Sequence, residues 1–239
     1  MIFTILLCFE VSYKSNISYY LGNWPPPLGI EYVIDRISII PIMIVSVIGL
    51  IATLFAHNFF TLEIDEKLVS KTYSLWLLTI AGLIGLITTA DAFNLFVFLE
   101  ISSLSAVALV ALGSKVDRKA LVAGYNYLIL GAVGATFYVI GVGLLYGVTG
   151  TLNMGDLAQK IPALGLNKSV IVAFTFMMLG IMVKAAVFPL HIWLPNAYAY
   201  APSPVSVLLA ATATKVSIYI LVRISSVSYT HLTLPTTGS

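Results

Sequence analysis

The chain has 239 residues, of which 59% are hydrophobic and only 9% charged, with a net charge of +2 and a mean hydropathy of +1.01. A soluble domain carries about a quarter charged residues, so this composition excludes a water-soluble globular protein. The small positive balance, spread thinly, excludes a phosphate-tracking nucleic-acid surface. The single cysteine, Cys8, excludes an internal disulfide or a thiolate metal cluster.

In chain order, the opening MIFTILLCF is apolar but too short to cross a bilayer. It lacks the charged start and small-residue cleavage site of a signal peptide, and it reads as the end of a longer helix. A polar, proline-rich connection centred on NWPPPLGIEY follows. Six apolar runs then predict membrane-spanning helices over 37–60, 73–90, 92–112, 121–148, 170–193 and 202–224. Each approaches the roughly twenty apolar residues that one crossing needs. Backbone groups in hydrocarbon must bond internally, so the runs are helices, and the alternating pattern of a membrane barrel is missing. Polar connections are expected at 62–67, at Asp91, at 113–119 and at 150–168. On the fourth span, Gly143 with Gly147 and Gly131 with Ala135 stand four apart, a spacing that lets helix backbones approach closely.

Basic residues divide almost evenly between the two sides. Lys67, Lys71, Lys115, Arg118 and Lys119 fall on one, and Lys14, Arg36, Lys160, Lys168 and Arg223 on the other. The tight cluster in the short link 113–120 counts most, and it places that link in the cytoplasm.

Three charges lie several residues inside their spans: Glu100, Lys184 and Lys215. A charge at the centre of a membrane helix costs about 2.5–3.5 kcal/mol on the insertion scale. Such residues form a structural ion pair, snorkel to the interface, or line a proton or ion path through the bundle. Burial drives carboxyls and amines alike toward their neutral forms, and a nearby opposite charge restores the charged one. Groups of these two types can therefore exchange protons as their pairing changes. Lys184 is followed by Pro189, His191, Pro195, Pro202 and Pro204, so the helix breaks beside it. Broken helices at membrane depth are tolerated where they line a polar cavity. His191 is either a relay partner or a helix-end histidine bonded to a freed carbonyl. Asp91 reads as the cap of the helix that carries Glu100. The hydroxyls of SSLS (102–105), Thr212, Thr214 and Ser217 suit a wet interior.

The stretches LGNWPPPLGIEYVID, DAFNLFVFLEISSLSAVALVALG, YGVTGTLNMGDLA and KAAVFPLHIWLPNAYAYAPSPVSVLLAATATKVSIYILVR together resemble one family, the antiporter-like proton-translocating membrane subunits. These occur in respiratory complex I, membrane-bound hydrogenases and multisubunit Mrp-type cation/proton antiporters, and GNWPPPLGI with VTGTLNMGDL is most similar to the D subunit of the Mrp type. The resemblance implies an all-α polytopic transmembrane helix bundle, corresponding to the first of two inverted repeats and holding one broken helix. It implies a proton-translocating subunit of a multisubunit monovalent cation (Na⁺)/H⁺ antiporter, a transporter subunit rather than a catalytic one. The alternative is the proton-pumping subunit of an NADH:quinone oxidoreductase or membrane-bound hydrogenase complex. Glu100 and Lys184 match the glutamate–lysine pair that gates protonation in the family. Lys215 matches the lysine that passes the proton along the mid-plane, and His191 is the fourth candidate of the relay.

No cofactor or metal site is expected in this chain. The expected partners are other membrane subunits, the lipid bilayer, H⁺ and Na⁺ or K⁺, in a prokaryotic plasma membrane. Residues 1–36 are expected to form a helix stub and extramembrane loop, and 37–224 the proton-translocating domain. The Ser/Thr-rich stretch 225–239 resembles no helix of the family and is expected to be a foreign tail on a fragment. A cysteine replacing Ser114 should react with an impermeant maleimide from the cytoplasmic side only; labelling from the opposite side would invert the orientation.

Overall fold

The computed structural model describes residues 2–164 and 167–229. Among these, the elements run α1 (Ile2–Lys14), β1 (Asn16–Tyr20), β2 (Glu31–Asp35), α2 (Arg36–Glu63), α3 (Glu66–Thr88), α4 (Ala92–Ala111), α5 (Lys119–Thr149), α6 (Met154–Leu164), α7 (Lys168–Lys184), α8 (Leu194–Tyr200) and α9 (Ser203–Tyr229). Five stretches are long and apolar enough to cross a membrane: α2, α3, Ala92–Lys115, α5 and α9. The predicted crossing over 170–193 is a different object. It is the 17-residue α7, an irregular turn, and the short α8.

The helix ends are fixed by specific groups. Asp35 starts α2 with a capping box, accepting from Ser38 N–H at 2.8 Å while Ser38 Oγ accepts from Asp35 N–H at 2.7 Å. Asp91 caps α4 by accepting from Asn94 N–H at 2.7 Å, and Asn167 caps α7 by accepting from Ser169 N–H at 2.9 Å. α5 ends at Gly150, whose φ of 68° is the left-handed conformation that glycine adopts without a Cβ penalty.

Two connections are more ordered than the sequence suggests. β1 and β2 pair antiparallel from Asn16↔Asp35 to Tyr20↔Glu31, so the proline-rich stretch is the tip of a hairpin. The link between α3 and α4 is held in extended form against that hairpin and against the α5–α6 connection. Ala90 N–H donates to Glu31 O at 2.9 Å, Ala92 N–H to Leu152 O and Met154 N–H to Ala90 O, both at 2.8 Å. The second is the stretch 150–164 of the predicted connection, which contains α6. That helix buries Met154, Leu157 and Ile161 and turns Asp156 and Lys160 outward, an ion pair at 3.0 Å. At the other end of the chain, α9 continues through Tyr229, past the predicted boundary at 224. The rest of the expected tail, 230–239, lies outside the described residues.

On the opposite face, Glu63 at the end of α2 accepts from both Ser203 N–H and Ser203 Oγ at 2.6 Å, which fastens the start of α9. Lys115 donates to Ile64 O at 3.0 Å and Leu62 O at 3.3 Å, closing the end of α2. Because α7 begins at the hairpin face and α9 begins here, α7, the turn and α8 together make one crossing.

Glycine sets the closest helix contact, between α5 and α7, but not at the GxxxG expected from sequence. A Cβ at Gly134 would lie 2.9 Å from Gly180 O, and one at Gly180 would lie 2.7 Å from Tyr138 N. Cβ atoms at Gly143 and Gly147 would meet nothing within 4 Å. Gly134→Val should therefore lower the thermal stability of the purified protein by about 1–3 kcal/mol or more. Gly143→Ala, inside α5 with open space around it, should instead raise it by about 0.5–1 kcal/mol, read as a higher melting temperature in detergent.

Candidate functional site

The site forms where α7 stops. Its last turn closes with Ala186 N–H donating to Val183 O at 3.2 Å and Val187 N–H donating to Met182 O at 3.1 Å. These are the two bonds of a Schellman motif. The left-handed position, which glycine usually fills, holds Ala186 at φ 53°. Chain direction changes there, three residues before Pro189. Val183 O also accepts from the indole N–H of Trp193 at 3.1 Å, and the Trp193 ring stacks on Tyr127 of α5 at 4.2 Å and 5°. The Val183 carbonyl, already bonded within the motif, thus takes a second donor from the far side of the turn.

Lys184, the last residue of α7, is only 8% exposed. Its ammonium donates to the hydroxyl of Ser103 on α4. A small cavity of about 20 Å³, room for about one water, adjoins the pair and is lined by Thr79, Ser102, Ser103, Tyr127, Lys184 and Ser217 among apolar neighbours from α3, α4 and α9. Thr79 Oγ1 donates to Ser105 Oγ at 2.8 Å, which joins α3 to α4 beside it. Apolar packing closes both sides. Leu86, Leu95, Leu99, Tyr138, Met177 and Ile181 fill the core toward the hairpin face. Trp76, Leu109, Val110, Trp193, Val205 and Leu208 fill the core toward the 112–119 link.

The four sequence candidates are not all brought together. Glu100 lies three residues before Ser103 on α4, so the two are neighbours along one helix face. Its carboxylate is half-buried, and among the described residues it forms no ion pair within 4.0 Å. Lys184 is thus bonded to a neutral hydroxyl, and it is this serine that stands one helical turn from Glu100. Lys215 does not join them. It lies on the exposed face of α9, its ammonium donating to Ala210 O at 2.6 Å and Thr214 Oγ1 at 3.3 Å. Ser217 on the same helix faces the cavity instead. His191 is in the turn, its ring 5.5 Å from that of Phe188, with a buried Nδ1 that has no hydrogen-bond partner among the described residues. At the helix end it is the Trp193 indole, not His191 Nδ1, that bonds a carbonyl.

Sequence reasoning missed Thr79, Tyr127 and Trp193. A signal existed for the first: Thr72, Trp76 and Thr79 fall at helical spacing on one face of α3, and all three are buried. Tyr127 and Trp193 carry no local mark, since their roles depend on α5 meeting the turn.

On the hairpin face Asp91 is buried and its carboxyl is pushed above the usual carboxylate range by desolvation, which its backbone hydrogen bonds partly oppose. Arg223 of α9 donates to Tyr219 Oη and, at 3.4 Å, to Ile87 O, and lies 3.9 Å from Asp35.

Known proteins share this architecture. Residues 89–234 match the family described as NADH:quinone oxidoreductase/Mrp antiporter, TM. The N subunit of an NADH-quinone oxidoreductase from Desulforudis audaxviator is 48% identical over 206 residues, covering 86% of this chain and 40% of that one. The D subunit of a probable K(+)/H(+) antiporter from Rhizobium meliloti is 38% identical, covering 86% of this chain and 37% of that one. The chain thus spans about two fifths of the length of these curated relatives. A structure of the membrane-bound sulfane sulfur reductase, an archaeal respiratory membrane complex, superposes with a TM-score of 0.83 at 35% identity over 95% of this chain and 47% of that one.

The left-handed Ala186 stores strain of about 1–2 kcal/mol that a glycine would not. Ala186→Gly should raise the stability of the folded protein by about 0.5–1 kcal/mol, measured as a higher melting temperature; a lower one would show that the break is not held by this motif.

Proposed function

The chain belongs to the NADH:quinone oxidoreductase/Mrp antiporter transmembrane family, and we propose that it is a proton-translocating membrane subunit in which Lys184 takes up and releases a proton as it changes partners. The observation that carries this reading is a lysine buried at the end of a broken membrane helix, lining a hydroxyl-bearing cavity and bonded to a serine that stands one turn from a carboxylate on α4. A purely structural lysine would sit in a fixed ion pair, because an isolated buried charge is expensive. Lys184 has a neutral partner and a carboxylate one turn along that partner's helix. That arrangement suits a group whose charge is meant to change.

Glu100 is the carboxylate that stabilises the charged lysine. Lys215 is the onward carrier, facing away from the first cavity toward whatever packs on the outer face of α9. His191, with a free ring nitrogen in the turn, is a relay group between the cavity and the aqueous side. The link 113–120 lies in the cytoplasm of a prokaryotic cell. Residues 37–224 form the translocating unit, and the chain works with other membrane subunits.

The similarity to the D subunit of an antiporter favours a monovalent cation/proton antiporter, exchanging Na⁺ or K⁺ for H⁺. A second reading has its own support: the relative at 48% identity is named as part of an NADH-quinone oxidoreductase, which favours a redox-driven complex whose electron carriers lie in partner chains.

The decisive variant is Lys184→Ala in the complete assembled complex in proteoliposomes. Proton movement should fall about a hundredfold or more with assembly intact. Wild-type proton movement would remove the reading. Dependence of the wild-type signal on a Na⁺ or K⁺ gradient, against dependence on NADH and quinone, separates the two complexes.

A further inference from the structure

We propose that Ser103 is a positioning residue for Lys184: its hydroxyl is the second docking point that receives the amine when it leaves Glu100. The proposal rests on the relay reading above and adds a residue to it.

Ser103 is itself buried, at 7% exposure, and its Oγ donates to Leu99 O at 2.6 Å while it accepts from the Lys184 ammonium. Both hydrogen-bonding capacities of the hydroxyl are used. The opposite wall is shaped to fit. A Cβ at Gly131 of α5 would lie 3.4 Å from Lys184 Nζ, so the ammonium rests against bare backbone and its position is bounded from both sides. Ser103 and Lys184 both line the cavity, and Glu100 lies one turn from Ser103 on the same helix.

The chemistry of a hydroxyl explains why serine suits this place. A buried ammonium that leaves a carboxylate needs an acceptor, or it is stranded at a high desolvation cost. A neutral amine needs a donor as much as an acceptor. Carbonyl and carboxylate oxygens only accept, whereas a hydroxyl rotates and does either. Ser103 can therefore hold Lys184 in both protonation states, without the strong charge preference that Glu100 imposes. A merely space-filling serine would need no bond to the ammonium. It would also be as well served by alanine, since its bond to Leu99 O relieves no helix carbonyl that lacks a partner.

The test uses the complete complex in proteoliposomes, with proton movement followed by a pH-sensitive dye and assembly by native electrophoresis. Ser103→Ala should slow proton movement about tenfold at wild-type assembly, the scale of one hydrogen bond to a charged group. Ser103→Thr, which keeps the hydroxyl, should restore the rate to within about twofold of wild type. If Ser103→Ala does not assemble, Ser103→Cys takes its place; its thiol is a weak acceptor and the same slowing is expected. Wild-type rates in the alanine or cysteine variant, with Lys184→Ala inactive, would overturn the role of Ser103 and leave the relay standing. Equal slowing by alanine and threonine would overturn it too, since shape alone would then matter. Activity in Lys184→Ala would remove the relay itself and Ser103 with it.

Discussion

One constraint organises this bundle: an ammonium at the end of a membrane helix must find an acceptor where no water is guaranteed. Lys184 meets it through Ser103, and the neighbouring helices are arranged around that bond. α4 contributes the hydroxyl and, one turn earlier, Glu100. α5 contributes the glycine against which the ammonium rests, and α3 and α9 close the polar space with Thr79 and Ser217. In hydrocarbon an unsatisfied polar group costs several kcal/mol, so a polar centre of this kind survives only when each helix around it supplies a partner or a seal.

The break that exposes this lysine is built rather than merely permitted. A Schellman motif with alanine in the glycine position ends α7, and Trp193 returns to add a second donor to Val183 O within that motif. Strain at Ala186 is tolerated because the indole, its stacking on Tyr127 and the contact of α7 with α5 hold the turn from three directions. Gly134 and Gly180 bring those two helices close enough for this, which is why the close approach occurs there and not at Gly143 and Gly147.

The two ends of the bundle are fastened differently. On the hairpin face, extended segments around Glu31, Asp91 and Asn153 are stitched by backbone bonds, and Asn153 Nδ2 donates to Glu31 Oε2 at 2.8 Å. On the other face, single side chains do the fastening, Glu63 to the start of α9 and Lys115 to the end of α2. The broken crossing therefore hangs between a rigid, strand-like platform and a set of individual ties.

The sequence by itself determined that the chain is a membrane helix bundle, because apolar runs near bilayer length leave the backbone no other way to satisfy its bonds. It also singled out Glu100, Lys184 and Lys215 as charges inside apolar runs, of which the structure buries Lys184 and leaves Lys215 on the exposed face of α9. It located the break, from the prolines after Lys184, and the cap at Asp91. The hairpin and α6 were less legible: both are short, and their partners lie far along the chain, as in Asn153 with Glu31. Only the tertiary structure decided which polar groups meet. Lys184 bonds Ser103 rather than Glu100, and Lys215 faces outward while Ser217, two residues on, faces in. Periodicity says that two residues share a helix face. Which face meets which neighbour is fixed by the crossing of helices, and that depends on contacts between glycines and ring systems with no local signature.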